Sequence, residues 1–278
     1  MKRALLPDLR TMTIDGRTLS WREEGQGESL VLVHGIGGHS VSWRHQFATF
    51  SPNYRVIAWD APGYGGSDSL PTISPTAEEY ATLLSVFLRR LDVDRPHLVG
   101  HSLGSIMIAA ACHLNRIDAQ TLTFLHPVTG SGSLPDSERE PIRLSRIADM
   151  ERLGAAQFAV QRGRTILSAS TPAALVDEAI DVMKTVPKAG YLAAWEMMCR
   201  SDIFQVIDSR RPVLIVCGSD DPVCPPNVAR SIANKMTGAI YCCLDGVGHY
   251  ASIEAPDRLE SVLCDFLTNR QGKSLAQR

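Results

Sequence analysis

Apolar residues along this chain fall into two patterns that alternate. Short, nearly continuous runs rich in valine, leucine and isoleucine occupy residues 30–33, 56–59, 97–99, 121–125, 213–217 and 239–244. Such runs suit strands of a parallel sheet covered on both faces. Between them, residues 76–91, 103–114, 226–235 and 256–267 carry apolar positions at helical spacing, and two of these stretches open with a proline suited to a first helical turn. Strand and helix in alternation predict a doubly wound α/β domain with a mostly parallel sheet. Upstream, "RTMTIDGRTLSWREEG" sets two short alternating segments on either side of Asp15-Gly16. That is a hairpin signal, so an antiparallel edge is expected.

The alternation fails from about Gly130 to Asp208. There "GSGSLPDSEREP" leads into amphipathic segments with no convincing strand. The reading is a core built from residues 1–130 and 209–278, with residues 131–208 inserted as a helical cap. The final stretch, "NRQGKSLAQR", is expected to fray.

Composition narrows the function classes. A chain of 278 residues with 44% hydrophobic and 21% charged residues suits one domain with an insertion better than two equal domains. A net charge of -2 without long single-sign blocks gives no footprint for nucleic acid or a membrane surface, so a small-molecule partner is expected. Pro7 and Asp8 interrupt the first apolar stretch too early for a signal peptide, and no run is long enough to span a bilayer. Seven cysteines without metal-site spacing suit reduced thiols and a cytoplasmic setting. Cys242 and Cys243, in an apolar run, are expected to be buried. Homo-oligomerisation is left open.

Candidate chemistry begins at "HLVGHSLGSIMIAAA", where a strand gives way to a helix within "GHSLG". Glycines on both sides of Ser102 make room for a sharp turn that raises the serine at the carboxyl end of the sheet. The first turn of the following helix offers unpaired N–H groups that favour developing negative charge. A serine hydroxyl is a weak nucleophile alone, so this reading requires a base and an acid elsewhere.

Of eight histidines, His249 stands out, lying in the glycine-bearing loop between the last strand and the last helix, over the same sheet edge. His34 is read as part of a turn, and His126 as the residue where a strand ends. Asp220 and Asp221 in "GSDDPVCPP" offer two carboxylates after the 213–217 strand; one would hold the imidazole in a single tautomer. The order serine, aspartate, histidine is that expected for this sheet topology. "LVLVHGIGGHSVSW" supplies close-approaching backbone, and the N–H groups of Ile36 and Leu103 are the candidate oxyanion donors. It lacks the spacing of a phosphate-binding loop.

Together "HGIGG", "DAPGYGGSD", "GHSLG", "GSDDPVCP" and "GHYASIEAPDRL" give a chain that resembles the α/β-hydrolase superfamily, in its capped bacterial branch, over nearly all of its length outside the cap. The resemblance implies the α/β-hydrolase fold, Ser102 as nucleophile, His249 as base and Asp221, at Gly-x-x-Asp spacing from Gly218, as acid. It implies no cofactor and no metal. The nearest groups are enol-lactonases, small carboxylesterases and ring-fission carbon-carbon hydrolases. His101 before the serine and Tyr250 after the histidine depart from the last of these.

The expected activity is therefore hydrolysis of a small ester or lactone through an acyl-enzyme. Carbon-carbon hydrolysis, cofactor-free perhydrolysis and a ligand-binding regulatory role stand as alternatives. Tyr191, Trp195 and Met198, at helical spacings of four and three, form a stripe on one helix face that is a candidate to meet substrate together with His101; packing of the cap onto the sheet domain would give the same pattern. Arginines 143, 146, 152, 162 and 164 lie in the cap; one could clamp a substrate carboxylate, although solvated outer faces explain most such residues.

Overall fold

The computed structural model describes residues 5–268; the tail at 269–278 lies outside them. Among the described residues eight strands form one sheet: β1 (Leu9–Ile14), β2 (Arg17–Glu24), β3 (Glu28–Val33), β4 (Tyr54–Trp59), β5 (His97–His101), β6 (Thr121–Leu125), β7 (Val213–Gly218) and β8 (Ile240–Leu244). Their spatial order is β1-β2-β4-β3-β5-β6-β7-β8. β1 and β2 pair antiparallel, as do β2 and β4, while all pairings from β4 through β8 are parallel. The hairpin turn holds Asp15 and Gly16 at φ of 49° and 77°, the left-handed pair that a two-residue turn requires.

The strand period of two divides the core. Val31, Val33, Ile57 and Trp59 face one layer with α2 (Ala77–Arg90) and α3 (Leu103–His113). Leu30, Leu32, Val56 and Ala58 face the other, with α1 (Arg44–Phe50) and the last helix, Pro256–Thr268. The expected helix at 76–91 begins one residue later because Thr76 is its cap: its hydroxyl accepts from the Glu79 N–H, and Glu79 returns a bond to the Thr76 N–H.

Between β6 and β7 the chain contains α4 (Asp136–Ile166), α5 (Ala173–Lys184) and α6 (Lys188–Arg200) and no strand. α4 breaks at Gly154, where φ of 71° interrupts the helical path. These helices lie over the carboxyl edge of the sheet. Gly190 of α6 sits so tightly on Gly63, in the loop after β4, that a Cβ there would stand 2.1 Å from the Gly63 carbonyl oxygen.

After β7 follow α7 (Pro226–Asn234), α8 (Ala251–Glu254) and α9 (Pro256–Thr268). Cys242 and Cys243 are half-buried, not buried as expected, because β8 is the edge strand with a neighbour on one side only. All seven cysteines are free thiols. No helix among the described residues is long and apolar enough to cross a membrane.

Candidate active site

The site grows out of the turn between β5 and α3. Ser102 occupies φ 52°, ψ -115°, a strained conformation, and its N–H donates to the Leu125 carbonyl at 2.8 Å. The flanking glycines allow the close approach that the turn demands. A Cβ on Gly100 would stand 2.5 Å from the Gly104 carbonyl oxygen, and one on Gly104 would stand 2.3 Å from that of Val33. α3 can therefore press against β3, which leaves the serine at the top of the sheet.

Ser102, His249 and Asp221 come from three separate segments and meet in one hydrogen-bonded chain. The Ser102 hydroxyl donates to His249 Nε2 at 3.0 Å, and His249 Nδ1 donates to Asp221 Oδ2 at 2.8 Å. All three are buried, at 4%, 4% and 3% exposure, so their interactions are weakly screened. Burial lowers the His249 pKa below its ordinary value and outweighs the stabilisation of the imidazolium by Asp221. The resting imidazole is then a free base beside the hydroxyl.

Asp221 has all its acceptor capacity in use. Oδ1 receives the N–H groups of Val223 and Cys224, each at 2.8 Å, and Oδ2 receives His249 and also His126 Nδ1 at 2.8 Å. Burial alone would raise its pKa, yet the charge of His249 and the two histidine hydrogen bonds hold it well below the carboxylate range. Asp220 turns away: its carboxylate accepts from Ser168 and Ser219 and ties the β7 loop to the segment after α4.

His126 is the member that the sequence did not single out. Its Nε2 accepts from the Ala251 N–H at 3.3 Å, which leaves Nδ1 as the protonated nitrogen facing Asp221. His101 completes a cluster of three imidazoles, donating Nε2–H to the His249 carbonyl at 2.7 Å. Burial, then the neighbouring His249 and His126, push the His101 pKa well down, so it serves as a neutral wall. His126, Asp221 and His249 also have the composition of a metal site. Their hydrogen bonds argue otherwise: both Nδ1 atoms carry protons toward one oxygen, and His249 Nε2 faces the serine.

The loop after β3 presents Ile36. The Gly35 carbonyl, in the same peptide unit as the Ile36 N–H, accepts from the Gly38 N–H at 3.0 Å and from His34 Nδ1 at 2.8 Å. Because a trans peptide sets N–H opposite C=O, these two bonds turn the Ile36 N–H the other way. His34 is held neutral, with burial lowering its pKa to about 4, and its Nε2 accepts from the Ala61 N–H. Thus His34, read from sequence as a turn residue, pins this loop. Leu103 is the first residue of α3, so its N–H has no carbonyl one turn earlier to bond.

The loop carrying His249 is anchored by Glu254. Its carboxylate accepts from the N–H groups of Gly248, Tyr250 and Ser168 and from the Thr171 hydroxyl. His249 N–H donates to the Ile166 carbonyl at 2.7 Å. The histidine is thereby stitched to the end of α4.

Above these residues lies a cavity of about 300 Å³. Tyr191, Trp195, Met198 and His101 all border it, as does Ile36. Arg146 and Arg162 face the same space, whereas Arg143 pairs with Glu140 and Glu196, Arg152 pairs with Asp149, and Arg164 is exposed.

Comparison with known proteins agrees with this architecture. A sequence model for the alpha/beta hydrolase fold matches residues 28–256. A relative from Acinetobacter baylyi, (E)-2-((N-methylformamido)methylene)succinate hydrolase, is 23% identical over 258 residues, covering 91% of this chain and 95% of its own. A thermophilic esterase from Thermogutta terrifontis, solved with malate bound, superposes with a TM-score of 0.82 at 21% identity, over 96% of this chain and 99% of that one. The enol-lactonase from Burkholderia xenovorans gives 0.78 at 23% identity, over 93% and 100%. At these identities the two structures speak for the fold.

Proposed function

The chain belongs to the alpha/beta hydrolase fold family, and from that premise we propose that it is a serine hydrolase cleaving a small carboxylic ester or an enol-lactone. The observation that carries this reading is the continuous hydrogen-bonded chain Ser102 to His249 to Asp221 beneath one cavity.

In the proposed reaction His249 Nε2 takes the proton of Ser102 as Oγ attacks the substrate carbonyl carbon. Negative charge gathers on the carbonyl oxygen, and the N–H groups of Ile36 and Leu103 receive it; in such sites a single donor accounts for about 3 to 4 kcal/mol of the barrier. Asp221 stays ionised and stabilises the His249 imidazolium without taking its proton. The imidazolium then protonates the leaving alkoxide or enolate, which departs from an ester or stays tethered to the acyl chain of an opened lactone, leaving an acyl group on Ser102. Water, deprotonated by His249, attacks the acyl carbon, and the imidazolium returns that proton to Ser102 Oγ as the C–O bond breaks and the acid is released.

The names of the hydrolase from Acinetobacter baylyi, a substituted-succinate hydrolase, and of the lactonase from Burkholderia xenovorans support small acyl substrates. Rapid-quench mass spectrometry on a panel of short p-nitrophenyl esters, enol-lactones and vinylogous diketones tests the reading. A transient acyl adduct with turnover of esters or lactones is expected. Turnover confined to the diketones, cleaved at carbon, would overturn it.

A further inference from the structure

We propose that Arg146 and Arg162 form a carboxylate subsite in the cap, so that the substrate is an ester or lactone bearing a second, free carboxylate. This rests on the ester and lactone reading above and adds the substrate's charge to it.

Both guanidinium groups border the cavity that contains Ser102 and His249. Of the other arginines of α4, Arg139 pairs with Asp136, Arg143 with Glu140 and Glu196, and Arg152 with Asp149, while Arg164 is unpaired among the described residues but exposed to solvent away from the cavity. Among the described residues neither Arg146 nor Arg162 has a carboxylate within 4.0 Å. Two half-buried cations bordering one cavity oppose each other and lose hydration, a costly arrangement unless an anion joins them. Consistently, burial and then the charge of Arg146 push the Arg162 pKa down. Asp221 attracts Arg162 only through space and makes no ion pair with it, its oxygens being occupied by four other donors.

Arg146 is also held in place before any ligand arrives. Its Nη1 donates to the Tyr191 hydroxyl at 3.1 Å, and its guanidinium lies 4.9 Å from the Trp195 ring centre and 5.8 Å from that of Phe158. Trp195 is fixed in turn by its Nε1–H, which donates to the Arg143 carbonyl at 3.1 Å. A stacked, hydrogen-bonded guanidinium keeps its remaining N–H edge free for a planar carboxylate. Ile142, Ile166, Met183 and Val223 give the same cavity apolar walls, suited to the short carbon chain between a scissile carbonyl at Ser102 and an acid group at the cap.

The test compares mono-p-nitrophenyl glutarate with p-nitrophenyl pentanoate, which match in chain length and differ in charge. The wild-type protein is expected to favour the glutarate by at least about tenfold in kcat/KM, since hydrogen bonds to charged groups are of that strength. Arg146→Met and Arg162→Met should each collapse that ratio, and Arg162→Lys should retain part of it. Equal rates for the wild type, or a ratio untouched by both methionine variants, would overturn the proposal. Calorimetric titration of the Ser102→Ala protein with glutarate separates this from the ester reading. If neither ester is turned over, the ester reading fails; glutarate binding that is lost in Ser102→Ala/Arg162→Met still supports the subsite, and no binding to Ser102→Ala overturns it.

Discussion

His126 donates Nδ1–H to Asp221 at 2.8 Å, the same oxygen and the same distance as the bond from His249. The carboxylate is therefore shared by two imidazoles, one of which never touches the serine. Replacing His126 by Leu leaves a buried lone pair on Asp221 and an unpaired Ala251 N–H, which costs about 1 to 3 kcal/mol of stability. With Oδ2 left to His249 alone, the imidazolium is better stabilised. The acid limb of kcat/KM should move to higher pH in His126→Leu, and urea denaturation should show the loss. An unchanged pH profile would mean that the shared oxygen does not tune the base.

In the unmodified protein the sign is opposite. Burial lowers the His249 pKa, and in the proposed reaction the active form is the neutral imidazole, so the midpoint of the acid limb of kcat/KM should lie below the ordinary histidine value of 6.5. Stability should follow a related course. His34, His101 and His249 all resist protonation in the folded state, so the unfolded chain binds more protons below its own histidine pKa. The urea midpoint is expected to fall as pH drops from 7 to 5. A midpoint that rises over that interval would contradict the neutral histidine cluster.

Glu254 does not border the cavity, yet it gathers the N–H groups of Gly248, Tyr250 and Ser168 around the His249 loop. Glu254→Ala should displace the imidazole from Ser102 and lower kcat by about 100-fold, the size of effect that misplacement by about 1 Å produces. KM should change little. Glu254→Gln keeps an acceptor oxygen and should recover part of the rate. Loss of the folded state without any separable effect on kcat would reduce Glu254 to a structural staple.

Much of this was legible in the sequence because it rests on local signals. The apolar runs predict the parallel strands, Asp15-Gly16 predicts the antiparallel edge, and the glycines around Ser102 predict the turn. The stripe Tyr191, Trp195 and Met198 follows from helical period, although period alone does not say that it meets the cavity. The missing parts are long-range. His126 reaches Asp221 across 95 positions of sequence, and His34 acts by fixing a peptide plane, so neither carries a periodic or motif signature. A histidine at the end of a strand, on the edge that already holds Ser102 and His249, was the available signal for His126. Arg143 and Arg152 have acidic residues three positions earlier in α4, and Arg143 also meets Glu196 of α6, but only the tertiary packing shows that Arg146 and Arg162 face the cavity.

The central claim is that Ser102 is an activated nucleophile. The most direct measurement is labelling of the purified protein with a fluorophosphonate, read by peptide mass spectrometry and by turnover of short p-nitrophenyl esters. The account predicts one adduct, on Ser102, with loss of turnover in step with labelling, and a drop of about 10⁶-fold in kcat for Ser102→Ala in a protein that remains folded. A folded protein that takes no label on Ser102, or whose Ser102→Ala variant keeps full activity, would contradict it.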